Sequence, residues 1–221
     1  MELFEAVKAR HSVRSYTSRP LEPEIIQALQ AETDACNREG GLHIQLVTEE
    51  PAAFQGFLPH YGKFSGVRNY LALVGPKGPE LEEKIGYYGE RLVLKAQMLG
   101  LNTCWVALTF RRGRCAIQRN PGEKLLCVIA LGYGATQGVP HRSKPLDSLC
   151  RAETPVPDWF LRGMESAILA PTATNQQKFF FIQSASTVQA KATGGFYSGI
   201  DLGIVKYHFE IGAGTSHFTW A

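Results

Sequence analysis

The chain has no Cys-x-x-Cys pair, no apolar run of membrane length and no strong charge of either sign. Its five cysteines (Cys36, Cys104, Cys115, Cys127 and Cys150) are odd in number and scattered, which speaks against a disulfide framework and against a zinc ribbon or finger. No metal site is expected. Without a stretch near the roughly 20 apolar residues of a spanning helix, no membrane partner is expected either. The net charge of +3 suits a small anionic cofactor and is too weak to argue for nucleic acid. The opening MELFEAVKAR reads as an amphipathic helix and not as a secretory leader, so the expected setting is cytoplasmic. A phosphate-binding loop ending in Gly-Lys-Ser/Thr is missing. The glycines of 132–138 lack the dinucleotide spacing and run into Pro140, so that stretch reads as a turn.

What is present is the composition of an ordinary globular protein, 44% hydrophobic and 19% charged over 221 residues, enough to bury a core. Leu3, Phe4 and Val7 form a helical stripe. A second helix starts between Pro20 and Pro23, turns Ile25, Ile26 and Leu29 inward, and stops at Gly40-Gly41. Strands are predicted at 42–48, 69–75, 102–108 and 124–132, with a long helix carrying Ile85, Tyr88, Leu92, Ala96 and Leu99 and ending near Gly100. A short helix is predicted at 114–118, and 133–158 reads as a basic, Pro/Gly-rich arm. Beyond it come a helix at 159–169, a strand at 179–184 and a helix at 200–211. Gly89 to Gly100 and Gly203 to Gly214 are both eleven residues apart, and a tryptophan follows each pair, Trp105 and Trp220. These parallels suggest an internal duplication. The expected fold class is α+β, with mostly antiparallel sheets covered by helices.

Four segments could carry chemistry. Arg10-His11-Ser12-Val13-Arg14 offers two guanidiniums and a hydroxyl to a phosphate, or else is a helix end with arginines on its last carbonyls. Ala170-Pro171-Thr172-Ala173-Thr174-Asn175-Gln176-Gln177 offers hydroxyls and amides to a polar planar ligand, or else is a plain turn. Its counterpart in the first half would be a loop at 34–39. Leu99-Gly100-Leu101-Asn102-Thr103-Cys104-Trp105 is a helix end leading into a strand, where a Cys-Trp pair is more often core than site. His141-Arg142-Ser143-Lys144 is either a second cationic clamp or a solvated basic turn. The trio Arg111, Arg112 and Arg114 reads as a solvated helix start, with a 2′-phosphate contact as the alternative.

Taken in order, Arg-x-Ser-x-Arg, Gly-Leu-x-Thr-Cys-Trp, Leu-Gly-Tyr-Gly and Arg-x-Lys-Pro-Leu resemble the nitroreductase family of flavoproteins over nearly the whole chain. That family's Ala-Pro-Ser-x-x-Asn-x-Gln element appears here only in the second half, as APTATNQQKF. The displacement resembles a subfamily whose single chain holds two degenerate halves and mimics the usual homodimer. The halves would be 1–150, with the phosphate-clamp motifs, and 151–221, packed together as one unit. The resemblance implies one FMN per chain. Arg10, His11, Ser12 and Arg14 would hold its phosphate, ribityl and pyrimidine side, with Arg14 also assisting the chemistry. Arg142 and Lys144 would add to the clamp. Ala107 and Leu108 would lie against the ring, while Pro171, Thr172, Thr174, Asn175 and Gln177 would come from the second half. Lys178-Phe179 stands where the family has Pro-Trp. The resemblance further implies an NAD(P)H-dependent oxidoreductase acting on a small nitroaromatic or quinone-like acceptor by a ping-pong cycle. A monomer is expected from the paired halves, with a homo-oligomer still open. The competing readings are a flavin carrier or sensor without turnover, and an α+β scaffold without cofactor.

Overall fold

The computed structural model describes residues 1–221, the side chain of Leu58 excepted. Its helices are α1 (Leu3–Ala9), α2 (Pro23–Gly40), α3 (Phe57–Tyr61), α4 (Leu81–Met98), α5 (Asp158–Ala167) and α6 (Ser198–Ala213). Its strands are β1 (Gln45–Val47), β2 (Asn69–Pro76), β3 (Asn102–Val106), β4 (Glu123–Gly132), β5 (Cys150–Arg151), β6 (Phe179–Ser184), β7 (Thr187–Ala192) and β8 (Thr219–Trp220). Two compact units result. One comprises Met1, Ala9–Leu81 and Leu92–Pro140, the other Glu2–Lys8, Glu82–Arg91 and His141–Ala221.

In the first unit, an antiparallel sheet runs in the order β1-β2-β4-β3. Its inner strands carry unbroken apolar sequence because both faces are covered: β2 is buried from Asn69 to Gly75 and β4 from Leu125 to Gly132. One face packs on Val13, Tyr16, Phe54, Phe64 and Val106. Helix α2 opens with proline in its first turn and closes on Gly41 in the left-handed region, φ 63°, as its sequence suggests. Residues 34–39 are the last turns of this helix and not a loop. There Asn37 clasps the backbone of Ile44 with both side-chain atoms, at 2.7 and 2.9 Å, and so fixes the turn into β1.

The second unit holds the sheet β5-β6-β7-β8. Antiparallel β6 and β7 form its centre, and short parallel strands flank them. Over it, α5 and α6 pack through an aromatic core: Phe209 lies 4.9 Å from Phe181, 5.5 Å from Phe160 and 5.2 Å from Phe218, ring centre to ring centre. Residues 82–91 of α4 also belong here and meet α6 backbone to backbone at two glycines. A Cβ on Gly86 would sit 2.0 Å from the Ile200 carbonyl oxygen, and one on Gly203 would sit 1.9 Å from that of Glu83. Nearby, buried His208 meets Glu90 Oε1 at 2.9 Å and the Ser166 carbonyl at 3.2 Å, tying the three helices through one ring.

The α+β class with mainly antiparallel sheets is the observed one. Three local expectations change. The strand expected at 42–48 shrinks to Gln45–Val47. The arm at 133–158 contains a 3₁₀ turn at Leu146–Ser148 and strand β5. The helix expected at 114–118 is replaced by a 3₁₀ turn at Arg112–Arg114. Past that turn the backbone donors go to side chains, Ala116 N–H to the Tyr70 hydroxyl and Gln118 N–H to Gln45 Oε1, so no helical ladder forms.

Candidate functional site

The sequence-derived candidates fall into two groups, one in each unit. In the first unit, residues 10–16 leave α1 in extended form and join the sheet by isolated bridges: Ser12 pairs with Thr103 of β3, Ser15 with Ser65 and Tyr16 with Gly134. Val13 N–H donates to the Thr103 carbonyl at 3.0 Å. Extended backbone alternates its side chains. Val13 goes into the core at 1% exposure, in the same cluster as Cys104, and the hydroxyl of Ser12 and the charges of Arg10 and Arg14 all act on the Cys104 thiol. Burial pushes the Cys104 thiol up from its usual range, and Arg14, Arg10 and a hydrogen bond from Ser12 pull against that rise. The motif therefore brings two cations and a hydroxyl to bear on one thiol beside β3. Arg10 is buried, Arg14 exposed, and among the described residues Arg14 has no carboxylate partner. Its guanidinium lies 6.0 Å from the centre of the Phe64 ring.

His11 is half-buried and covered by the turn at 134–138. Gly138 takes φ 75° there, and a Cβ on it would lie 2.8 Å from that of His11. Ala107 and Leu108 follow β3 directly, and Leu108 leaves an apolar side chain 70% exposed. Of the basic trio, Arg112 is held by its own unit: its guanidinium donates to the Leu125 and Leu126 carbonyls and lies over Phe110.

In the second unit Arg142, Lys144, Pro171, Thr172, Thr174, Asn175 and Gln177 form one knot. Residues 173–175 make a 3₁₀ turn, and Thr174, Asn175 and Gln177 all take positive φ, 50°, 57° and 47°. Non-glycine residues in that region cost of order 1 kcal/mol or more each, so the neighbours must enforce the shape. Buried Gln177 does much of this. Its amide nitrogen donates to the Arg142 carbonyl at 2.9 Å and to Asn175 Oδ1 at 3.0 Å, and its oxygen accepts from Lys144 N–H at 2.7 Å. The Lys144 ammonium caps the Gln176 and Gln177 carbonyls at 2.8 and 3.2 Å. Arg142 enters through its carbonyl, with its side chain exposed. Thr174 and Asn175 face outward, and Thr172 Oγ1 accepts from Gln177 N–H. This is more than a plain turn.

The sequence reading missed Asp201, whose carboxylate takes hydrogen bonds from Ala173 N–H and Gln176. An acid one residue into an otherwise apolar helix face was the available signal.

No helix of the described residues is long and apolar enough to cross a membrane, and none of the five cysteines is in a disulfide. No curated protein matches the chain. A family model described as "Putative TM nitroreductase" matches residues 2–213. Among solved structures, a "putative nitroreductase" from Thermotoga maritima is similar over 96% of this chain and 83% of its own, with TM-score 0.68 and 21% identity. A "putative nitroreductase in complex with FMN" from Desulfovibrio desulfuricans is similar over 67% of this chain and 94% of its own, with TM-score 0.53 and 16% identity. A "Putative NADH dehydrogenase/NAD(P)H nitroreductase" from Parabacteroides distasonis is similar over 66% and 95%, with TM-score 0.53 and 22% identity. At such identities the shared feature is the fold, whereas the family match spans nearly the whole sequence. Sheets, helices and family model agree, and the chain belongs to this nitroreductase family.

Proposed function

We propose that the protein is an FMN-dependent oxidoreductase that passes hydride from NAD(P)H to a small nitroaromatic or quinone-like acceptor. The observation that carries the reading is the grouping of Arg10, Ser12 and Arg14 about Cys104 within a nitroreductase chain. The donor set suits a phosphorylated, planar, polar group: guanidiniums and a hydroxyl for phosphate and sugar, amides and hydroxyls in loop 172–177 for a polar ring edge, and exposed Leu108 for a ring face. The neighbour that holds FMN shares the fold and supports the choice of cofactor.

When bound, FMN supplies the hydride exchange, in two successive half-reactions. The chain's own residues bind and orient. Arg10, Arg14 and Ser12 would hold anionic oxygens of the cofactor, and Arg142 would offer a further charge. Arg14, exposed and without a carboxylate partner among the described residues, would stabilise negative charge that develops on the reduced ring. Lys144 and Gln177 act by shaping the loop that presents Thr172, Thr174 and Asn175.

The same reading takes the chain as two degenerate halves, 1–150 and 151–221, that stand in for a homodimer and leave one flavin per monomeric chain. Support comes from the α4–α6 crossing. Gly86 lies three residues after Glu83, and Gly203 three after Ile200, and each glycine rests on the other helix's carbonyl. That reciprocity is what a twofold relation between two copies of one helix would leave behind. A reducing, cytoplasmic setting accords with five cysteines outside any disulfide.

The test is the visible spectrum of purified protein, before and after anaerobic addition of NADH or NADPH. Flavin bands near one equivalent per chain that bleach on addition are the expected result. Bands that persist would point to a carrier, a sensor or another electron donor. Absence of flavin even after reconstitution would overturn the proposal.

A further inference from the structure

Asp201 is 5% exposed and among the described residues faces no cation. Its oxygens accept from Ala173 N–H at 2.9 and 3.2 Å and from Gln176 Nε2 at 2.7 Å. The Gln176 amide also donates to the Phe196 carbonyl at 2.9 Å, so its orientation is set. Burial pushes the Asp201 carboxyl up, and the bonds from Gln176 and Ala173 only partly offset this. A buried, uncompensated carboxylate is costly to keep, and a plain surface turn does not need one. What Asp201 holds is one flank of the strained loop, while Lys144 and Gln177 hold the other.

We propose that Asp201 is a positioning residue for the flavin-binding loop: its carboxylate fixes Ala173 and Gln176 so that extended Thr172 and left-handed Thr174 and Asn175 are presented to the ligand. The proposal rests on the FMN reading above and extends it to a residue remote from the motifs. Asparagine is a poor replacement for the carboxylate: with its oxygen in the place of Oδ2, its NH₂ stands against Ala173 N–H at the shorter of the two contacts, and the opposite orientation sets it against Gln176, whose flip would break its bond to Phe196.

The experiment titrates FMN into apo wild type, Asp201→Asn, Asp201→Ala and Glu153→Gln, well below their unfolding temperatures, alongside amide hydrogen exchange of the loop. Glu153 is the control because its carboxylate ties a different turn of the same unit, at Ser184 and Ala185. Expected are an FMN dissociation constant raised about tenfold or more in both Asp201 variants, in line with lost charge-assisted hydrogen bonds, and faster exchange at 172–177. Glu153→Gln should match wild type in both. A merely structural carboxylate would lower the melting temperature and leave the affinity of folded protein unchanged. Affinity within twofold of wild type, in Asp201→Asn alone if Asp201→Ala does not fold, would overturn the role. Wild type that takes up no FMN would instead overturn the cofactor reading, and the loop's role as a flavin clamp with it.

Discussion

Segment 10–14 and loop 172–177 both present polar groups to solvent, but the first takes its shape from backbone pairing and the second from side chains. The arginine segment lies in ordinary extended conformation along β3, with Val13 as its anchor in the core. The exposed side chain of Arg14 can change without disturbing that support. The loop has three non-glycine residues at positive φ and no strand to lean on, so Gln177, Lys144 and Asp201 enforce it. One region is held by its own backbone pairing, whereas the other depends on side chains brought from elsewhere in the sequence to hold what it offers.

The sharpest way to break this contrast is Gln177→Leu. It leaves Lys144 N–H without its acceptor and Asn175 Oδ1 without its donor, removes one of the two donors to the Arg142 carbonyl, and should destabilise the protein by about 3 kcal/mol, read from the urea midpoint. A loss below about 1 kcal/mol would mean that the loop holds itself. A smaller effect should appear in pH dependence. The carboxyl of Asp201 is raised in the fold, so between the ordinary aspartate range and its raised value the folded chain retains a proton that the unfolded chain has released. Its contribution to stability therefore falls as pH rises through that window. Melting temperatures of wild type relative to Asp201→Asn should decline with pH there, and a rising difference would refute the assignment. The smallest effect on stability belongs to Arg14→Ala, within about 0.5 kcal/mol for an exposed side chain. FMN affinity and flavin reduction potential should nevertheless both drop. If both stay unchanged, Arg14 has no part in the site.

Legibility in the sequence followed the same division. Features written in local order were readable: the prolines and glycine that bound α2 and the unbroken apolar runs of β2 and β4. Strand β7 escaped notice because TVQAKA carries few apolar residues, and only Val188 of it is buried. The supposed loop at 34–39 is helix, since nothing in Asp-Ala-Cys-Asn-Arg-Glu stops a helix before Gly40. The missing helix at 114–118 was lost to Tyr70 and Gln45, two side chains that lie far away in sequence. Lys144 looked like a phosphate ligand by motif, yet its ammonium caps two loop carbonyls. Asp201 carried no motif at all. What failed was information that resides in long-range partners, which a linear pattern does not contain.

The crossing of α4 and α6 at Gly86 and Gly203 has a mechanical consequence. Where side chains separate two helices, rotamer changes let them slide or roll by small amounts. Here backbone lies on backbone, and a shift of either helix by one residue would bring a neighbouring Cβ, that of Ile85, Tyr87, Leu202 or Ile204, against a carbonyl oxygen. The two glycines thus act as a registration mark that fixes axial position and rotation together, so motion between these helices is confined to pivoting about that point.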